Sequence, residues 1–388
     1  MSTRLSARQS ARLSPLWVGA LGLAAAMGIG RFAYTPLLPL MQAQHGLTLA
    51  QAGLLASANY LGYLLGALAC VAFDPAPRTA ARRGLVAVAA TTLAMGIATG
   101  FEAWLVLRFA AGVASAFVLV GVSGWTLAAL ARAGRSAEAG WMFCGIGAGV
   151  CLAGLVGLAV GATGGDPALG WLGLGALAAL VAAAAWQPLS RADVAVGPAA
   201  APRPAIGRFE AARLVLCYGV FGFGYIIPAT FLPALARSMV ADPLVYGLTW
   251  PVFGMAAAAS TALAASVLRR VAPRRLWAGC LVVMAIGVAV GALVHGLAAL
   301  IVAAVCVGAT FVVATLAGLQ EARRVAGSGA PRLIAAMTAA FAFGQLIGPL
   351  TLRSGGPIAE ATYVASLVAS AMLLGSAVLL MVGPRRPA

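Results

Sequence analysis

The 388-residue sequence contains no lysine, only two histidines and only nine acidic residues. Charged residues make up 9% of the chain, where a soluble domain carries about 25%. Without lysine no G-x-x-x-x-G-K-[ST] phosphate loop can be completed, which excludes an ATP-driven pump of that kind. Two isolated histidines and scattered acids argue against a membrane-embedded acyl or glycosyl transferase, which needs such groups clustered near an interface. The chain is therefore not expected to be an enzyme. No C-x-x-C occurs, and all six cysteines lie in apolar runs. They read as small buried hydrophobes, so no metal, cofactor or disulfide framework is expected. Long polar segments are also missing, which disfavours a sensor or scaffold built on a soluble domain.

What is present is apolar. Hydrophobic residues are 62% of the chain and mean hydropathy is +1.00. Many separate runs are long enough to cross a bilayer as helices. Barrel strands would be about half as long and would alternate apolar with polar residues. In lipid every backbone group needs an internal partner, so the runs must be helices. Twelve spans are predicted: 15–41, 49–73, 84–100, 103–131, 139–162, 168–186, 211–236, 244–268, 276–294, 297–320, 333–352 and 359–382. The first is too long for a signal-peptide core and is read as an uncleaved span.

Net charge is +16, carried entirely by arginine. A soluble protein so basic would suggest a nucleic-acid partner. Here twenty-one of the 25 arginines fall in alternate connections and the two tails, counting Arg213 in the opening turn of span seven with the connection before it. Only Arg237 and Arg353 fall in the other connections, and Arg31 and Arg108 lie within spans. Such a split is a positive-inside signal. It places both termini in the cytoplasm and gives the arginines no need of nucleic acid. The arginine-only, Ala- and Gly-rich usage suggests a GC-rich bacterial genome, hence a bacterial plasma (inner) membrane.

A Pro-, Ala- and Arg-rich connection, 187–210, divides the chain into six spans and six spans, 1–186 and 211–388. The halves resemble each other. Gly28-x-Gly30 is followed nine residues later by Pro39, and Gly222-x-Gly224 nine residues later by Pro233. The offset is 194 residues, half the chain. Span five carries Gly145-x-x-x-Gly149 and span eleven Gly344-x-x-x-Gly348-Pro349. A parallel internal repeat is expected.

Two six-helix halves joined by a basic loop resemble the major facilitator superfamily. In span four, Leu105-Val-Leu-Arg108-Phe-Ala-Ala-Gly112 is similar to that superfamily's L-x-x-R-x-x-x-G pattern. After span two, Asp74 and Arg82-Arg83 survive from its G-x-x-x-D-R-x-G-R-R loop, with stretched spacing and Cys70 at the glycine position. The matching loop of the second half, RRVAPRR, has no acid. Drug exporters of the superfamily tend to carry G-x-x-x-G-P in span five, where this chain has Val150 in place of proline. GRFAYTPLLPLMQ in span one and GFGYIIPATFLPALAR in span seven look similar to one branch, the YbfB/YjiJ family. The resemblance implies an all-α membrane protein, with twelve transmembrane helices in two pseudo-symmetric six-helix bundles. It also implies a monomeric secondary transporter embedded in a lipid bilayer, carrying a small-molecule substrate across by alternating access.

Arg31 stands near the middle of span one. A central arginine costs about 2.5–3.5 kcal/mol on insertion scales, and no acid lies at that depth to offset it. In one reading Arg31 binds an anionic substrate group, since guanidinium grips carboxylate or phosphate through paired donors. Tyr34, three residues on, shares its face. In the other reading Arg31 caps the carbonyls of Phe32 and Thr35, which Pro36 and Pro39 deprive of their helical donors. Arg108 lies five residues inside span four, can partly snorkel outward, and lies beside a close-packing face of Gly112 and Ser115.

By the same resemblance, polar residues on the spans that border the central cavity complete a candidate substrate site. These are Arg31, Tyr34, Asn59, Tyr63, Arg108, Tyr225 and Gln345, with Tyr60, Tyr218 and Trp250 nearby. Spans one and seven read as flexible or broken helices, and the candidate gating residues are Gly28, Gly30, Pro36, Pro39, Gly222, Gly224, Pro228, Pro233, Gly344, Gly348 and Pro349. The histidines, His45 and His295, map to the outer surface, and Glu321 is the acid nearest to lying inside a span. The expected function is secondary transport of a small organic anion. Export of amphipathic or drug-like compounds is the alternative.

Overall fold

The computed structural model describes residues 13–190, 206–351 and 357–382. Among them there are no strands. Twelve helices are long and apolar enough to cross a membrane. They are α1 (Pro15–His45), α2 (Leu49–Phe73), α3 (Pro77–Ile97), α4 (Phe101–Arg132), α5 (Glu138–Ala162), α6 (Pro167–Leu189), α7 (Arg208–Met239), α8 (Pro243–Ala264), α9 (Pro273–Leu293), α10 (Leu297–Ala326), α11 (Ala330–Thr351) and α12 (Ile358–Met381). The predicted spans correspond to these one for one. Most of the 187–210 connection, the N-terminal tail and Arg353 lie outside the described residues.

Edges differ where charge misleads hydropathy. Helix α3 begins at Pro77, seven residues before the apolar run. Proline is favoured in a first turn, where its missing N–H has no acceptor to lose, and the basic stretch behind it, Arg78, Arg82 and Arg83, belongs to the helix. Helix α10 likewise extends beyond its apolar part to Ala326, carrying Glu321, Arg323 and Arg324. Polar starts are fixed by side chains. Thr48 and Gln51 form a capping box at α2, and Asp166 caps α6. Helix α1 stops at Gly46, whose φ of 65° favours a residue without Cβ.

All even-to-odd turns within each six-helix set lie at the end of the bundle that holds most of the arginines. That end is called arginine-rich below, and the opposite one arginine-poor. Small residues let helices approach to backbone contact. In the first six helices a Cβ at Gly28 of α1 would collide with the backbone of Gly149 of α5, and in the last six a Cβ at Gly222 of α7 would collide with the Phe341 carbonyl of α11. The repeated glycines therefore serve the same pairing in each set, α1 on α5 and α7 on α11. Two seams join the sets: α5 against α8, where Gly147 abuts Ala258, and α2 against α11, where Gly53 abuts Pro349.

In the second set the basic loop does find acids, but from other helices. Arg274 pairs with Glu210 of α7 and, at 2.7 Å, with Glu321 of α10. Glu210 also pairs with Arg213, and the fully buried Glu321 with Arg324. In the first set Arg82 instead lies over the Trp186 ring, 3.6 Å from its centroid, and no described ion pair includes Asp74.

Candidate substrate site

The site begins with a break in α1. After Leu23 the helix widens into a π-helix over Ala24–Arg31, turns at Phe32 and Ala33, and restarts as an α-helix at Tyr34. Pro36 explains the turn. It lacks an N–H, so backbone carbonyls one turn earlier lose a donor. The Phe32 carbonyl is recovered by the Thr35 N–H at 3.2 Å. Those of Gly30 and Arg31 are recovered from outside the helix. Arg108 of α4 donates to them at 3.2 and 2.8 Å. Asn59 of α2 reaches the Gly30 carbonyl at 3.4 Å and the Arg108 carbonyl at 2.9 Å.

This corrects two sequence expectations. Carbonyl capping belongs to Arg108, not Arg31, and its targets are Gly30 and Arg31 rather than Phe32 and Thr35. Arg108 does not snorkel: it is 1% exposed and points inward. Helical depth gives distance from the membrane surface but not the direction a side chain faces.

Freed from that duty, the Arg31 guanidinium projects toward the last six helices. It is 2% exposed. One terminal nitrogen donates to Gln345 Oε1 of α11 at 2.8 Å. The guanidinium carbon lies 4.1 Å from the Tyr63 ring centroid, 5.6 Å from that of Tyr60 and 5.4 Å from that of Phe32. Cation–π attraction to three rings offsets part of its desolvation. Its Nε has no partner. Gln345 continues the chain of bonds, its Nε2 donating to the Tyr225 hydroxyl of α7. Tyr225 stacks on Phe311 at 5.6 Å and on Phe341 at 5.5 Å.

The seven predicted substrate residues therefore fall into two layers. Arg31, Tyr63, Gln345 and Tyr225 meet at the centre. Arg108 and Asn59 stand behind the α1 break and hold its backbone, while Tyr34 donates to the Ala52 carbonyl at 3.0 Å. Tyr218 and Trp250 extend the aromatic wall through Phe221, Phe341, Phe253 and Phe32. Sequence reasoning missed Thr35 and Thr230, which close the centre on its arginine-poor side. Thr35 Oγ1 donates to the Ala229 carbonyl at 2.9 Å, and Tyr60 and Thr230 share a hydroxyl bond of 2.9 Å. Ser57 reaches the Leu346 carbonyl at 3.0 Å, and Arg237 donates to that of Pro39. The described hydrogen bonds between the two sets of helices thus lie at the level of Arg31 or on its arginine-poor side.

The candidate gating residues do not share one geometry. Gly28 and Gly30 lie in the π-helix and Pro36 and Pro39 just after it. Gly222, Gly224, Pro228 and Pro233 lie in α7, which is helical without interruption from Arg208 to Met239. Gly348 ends the α-helical part of α11, and Pro349 opens a 3₁₀ turn. Both histidines are exposed at the arginine-poor end. His45 borders a cavity of about 240 Å³ with Trp104 and Asp166, and His295 one of about 140 Å³ with Glu360. Neither adjoins Arg31.

Twelve membrane-length helices, a buried cation where the two sets meet, and described bonds that close the side beyond it fit a membrane transporter of the major facilitator kind. Residues 23–381 match the family described as "Uncharacterised MFS-type transporter YbfB", and the chain belongs to that family. The fold is similar to the crystal structure of a mutant of the nucleoside transporter NupG, with a TM-score of 0.71 at 14% identity. The match covers 95% of this chain and 99% of that one. No curated protein matches the sequence.

Proposed function

We propose that the protein carries a small organic anion across a bacterial inner membrane by alternating access, with Arg31 as the anion-binding group. The observation that carries this reading is the state of Arg31. It is a buried cation held, among the described residues, by a neutral amide and aromatic rings, with an unpartnered Nε and no described acid at its depth. An intramembrane charge so placed is a functional group by default. Tyr63, Tyr225 and Gln345 line the site with it, while Arg108, Asn59 and Tyr34 fix the backbone that presents it. The halves 1–186 and 211–388 rock about the site, the 187–210 linker joining them, and no covalent chemistry is involved. The glycines and prolines of α1, α7 and α11 serve as the gating elements. With the arginine-rich end and both termini in the cytoplasm, the bonds beyond Arg31 close the outer side. Glu321 is tied to two arginines at the cytoplasmic end, so coupling falls to the substrate's own charge or to exchange.

The test is ligand-dependent thermal stability and uptake in proteoliposomes, wild type against Arg31→Ala. Charge-assisted hydrogen bonds contribute about 1.5–3 kcal/mol, so the variant should bind anions about tenfold to a hundredfold more weakly. Stabilisation by neutral or cationic compounds alone, unchanged in Arg31→Ala, overturns the reading. Cysteines placed at positions 45 and 200 should label from opposite sides, and labelling from one side overturns the topology.

A further inference from the structure

The bridge from Arg31 through Gln345 to Tyr225 says more about the anion, on the reading that Arg31 binds one. Positions 31 and 225 are repeat equivalents, 194 residues apart, so the Gln345 carboxamide sits where the two halves present corresponding side chains. Guanidinium can only donate, so the amide oxygen must face Arg31 and the amide nitrogen must face Tyr225. A carboxylate has the same planar shape. Placed there, one of its oxygens would accept from Arg31, whose unpartnered Nε supplies a second donor. The other would accept from the Tyr225 hydroxyl, which can turn from acceptor to donor.

We propose that the solute is a monocarboxylate with a flat, apolar body, and that the Gln345 carboxamide is the placeholder its carboxylate displaces. One carboxylate is the limit because one guanidinium is free. Arg108 has both terminal nitrogens committed to the Gly30 and Arg31 carbonyls. A second anionic group on the solute would be buried without a partner. The body is apolar and flat because the surroundings are rings: Phe32, Tyr60 and Tyr63 around Arg31, and Tyr225 stacked between Phe311 and Phe341 beyond the amide. Hydroxyl-rich solutes would lose water there and find few replacements. Flat rings gain by stacking on such walls.

The experiment is a thermal-shift titration of the purified full-length protein with benzoate, phthalate, benzamide and hexanoate. Benzoate should stabilise saturably, with phthalate and benzamide at least about tenfold weaker and hexanoate several-fold weaker. Phthalate or hexanoate equalling benzoate, with the effect lost in Arg31→Ala, overturns this inference and leaves the anion reading standing. No stabilisation by any of the carboxylates overturns the inference, and stabilisation by benzamide alone overturns both. The placeholder has its own test. Gln345→Glu supplies a permanent carboxylate, so its melting temperature should rise and its benzoate shift vanish, whereas Gln345→Ala should keep or enlarge the shift. A benzoate shift in Gln345→Glu equal to wild type, or its loss in Gln345→Ala, overturns the placeholder role.

Discussion

Helices α1 and α7 carry the same glycines and the same late proline 194 residues apart, yet only α1 is broken. The difference lies in their neighbours. Counting eight residues from the capping glycine gives Arg108 in α4, after Gly100, but Ala304 in α10, after Gly296. Arg108 supplies two donors to carbonyls that the α1 break exposes. Ala304 supplies none, so α7 keeps its carbonyls satisfied mostly within the helix. A buried helix can open only where another element receives its backbone. The open helix then turns a cation toward the centre, and the closed one offers a tyrosine.

The largest effect should come from removing the receiver. Arg108→Met leaves the Gly30 and Arg31 carbonyls buried without that donor. Each such group costs about 1–3 kcal/mol, so a loss of about 2–5 kcal/mol is expected, with a clear fall in apparent melting temperature. The matching change in the other half, Ala304→Ser, should move it little. Equal effects at the two positions would mean that the break in α1 needs no cap.

Much of this was legible in the sequence, and the reasons differ by residue. Spans were legible because bilayer thickness sets a minimum run of apolar residues, and twelve such runs exist. Arg31 stood out because a central charge is costly. Its partner Gln345 lies 314 positions away, and no local pattern encodes a contact made by packing α1 against α11. The break in α1 and the continuity of α7 were read alike because glycine and proline mark where a helix can yield. They do not mark where a neighbour supplies hydrogen bonds to let it yield. Arg108 is legible as a cation within its span, but depth carries no azimuth, so its reach to the α1 carbonyls is not.

The arginine-rich ends extend the comparison. The second set holds a buried carboxylate, Glu321, between Arg274 and Arg324, whereas Asp74 in the first set ends α2 in a left-handed conformation with φ 40°. Glu321→Gln removes the charge from two ion pairs, one of them with the largely shielded Arg274. A buried pair broken on one side costs about 3–5 kcal/mol. Amide replacement preserves some hydrogen bonding, so about 1–3 kcal/mol is expected. Asp74→Asn should cost little, because asparagine tolerates the left-handed region as aspartate does. Thermal unfolding of the two variants side by side measures the contrast. A larger loss at Asp74 would place the main charge contact of the arginine-rich end in the first half.

The smallest effect is also the most specific, because it lies where α1 and α7 touch. Pro233 has no N–H, so the Ala229 carbonyl loses its helical donor, and the Thr35 hydroxyl of α1 takes that carbonyl at 2.9 Å. Thr35 and Ala229 are themselves 194 residues apart, so repeat-equivalent positions meet across the two halves. The bond cannot be returned, since alanine has no hydroxyl to offer the Thr35 carbonyl that Pro39 leaves free. Thr35→Val should cost the closed state about 1 kcal/mol. Alkylation of a cysteine placed at Ala234, buried on the arginine-poor side, should then speed up about fivefold if opening limits labelling. In a Pro233→Ala background the helix can supply its own N–H to Ala229, and the same Thr35→Val change should matter far less. The double-mutant cycle therefore reads the interaction directly. Additive effects would show that Thr35 acts through packing, and that the proline in α7 does not prepare an acceptor for α1.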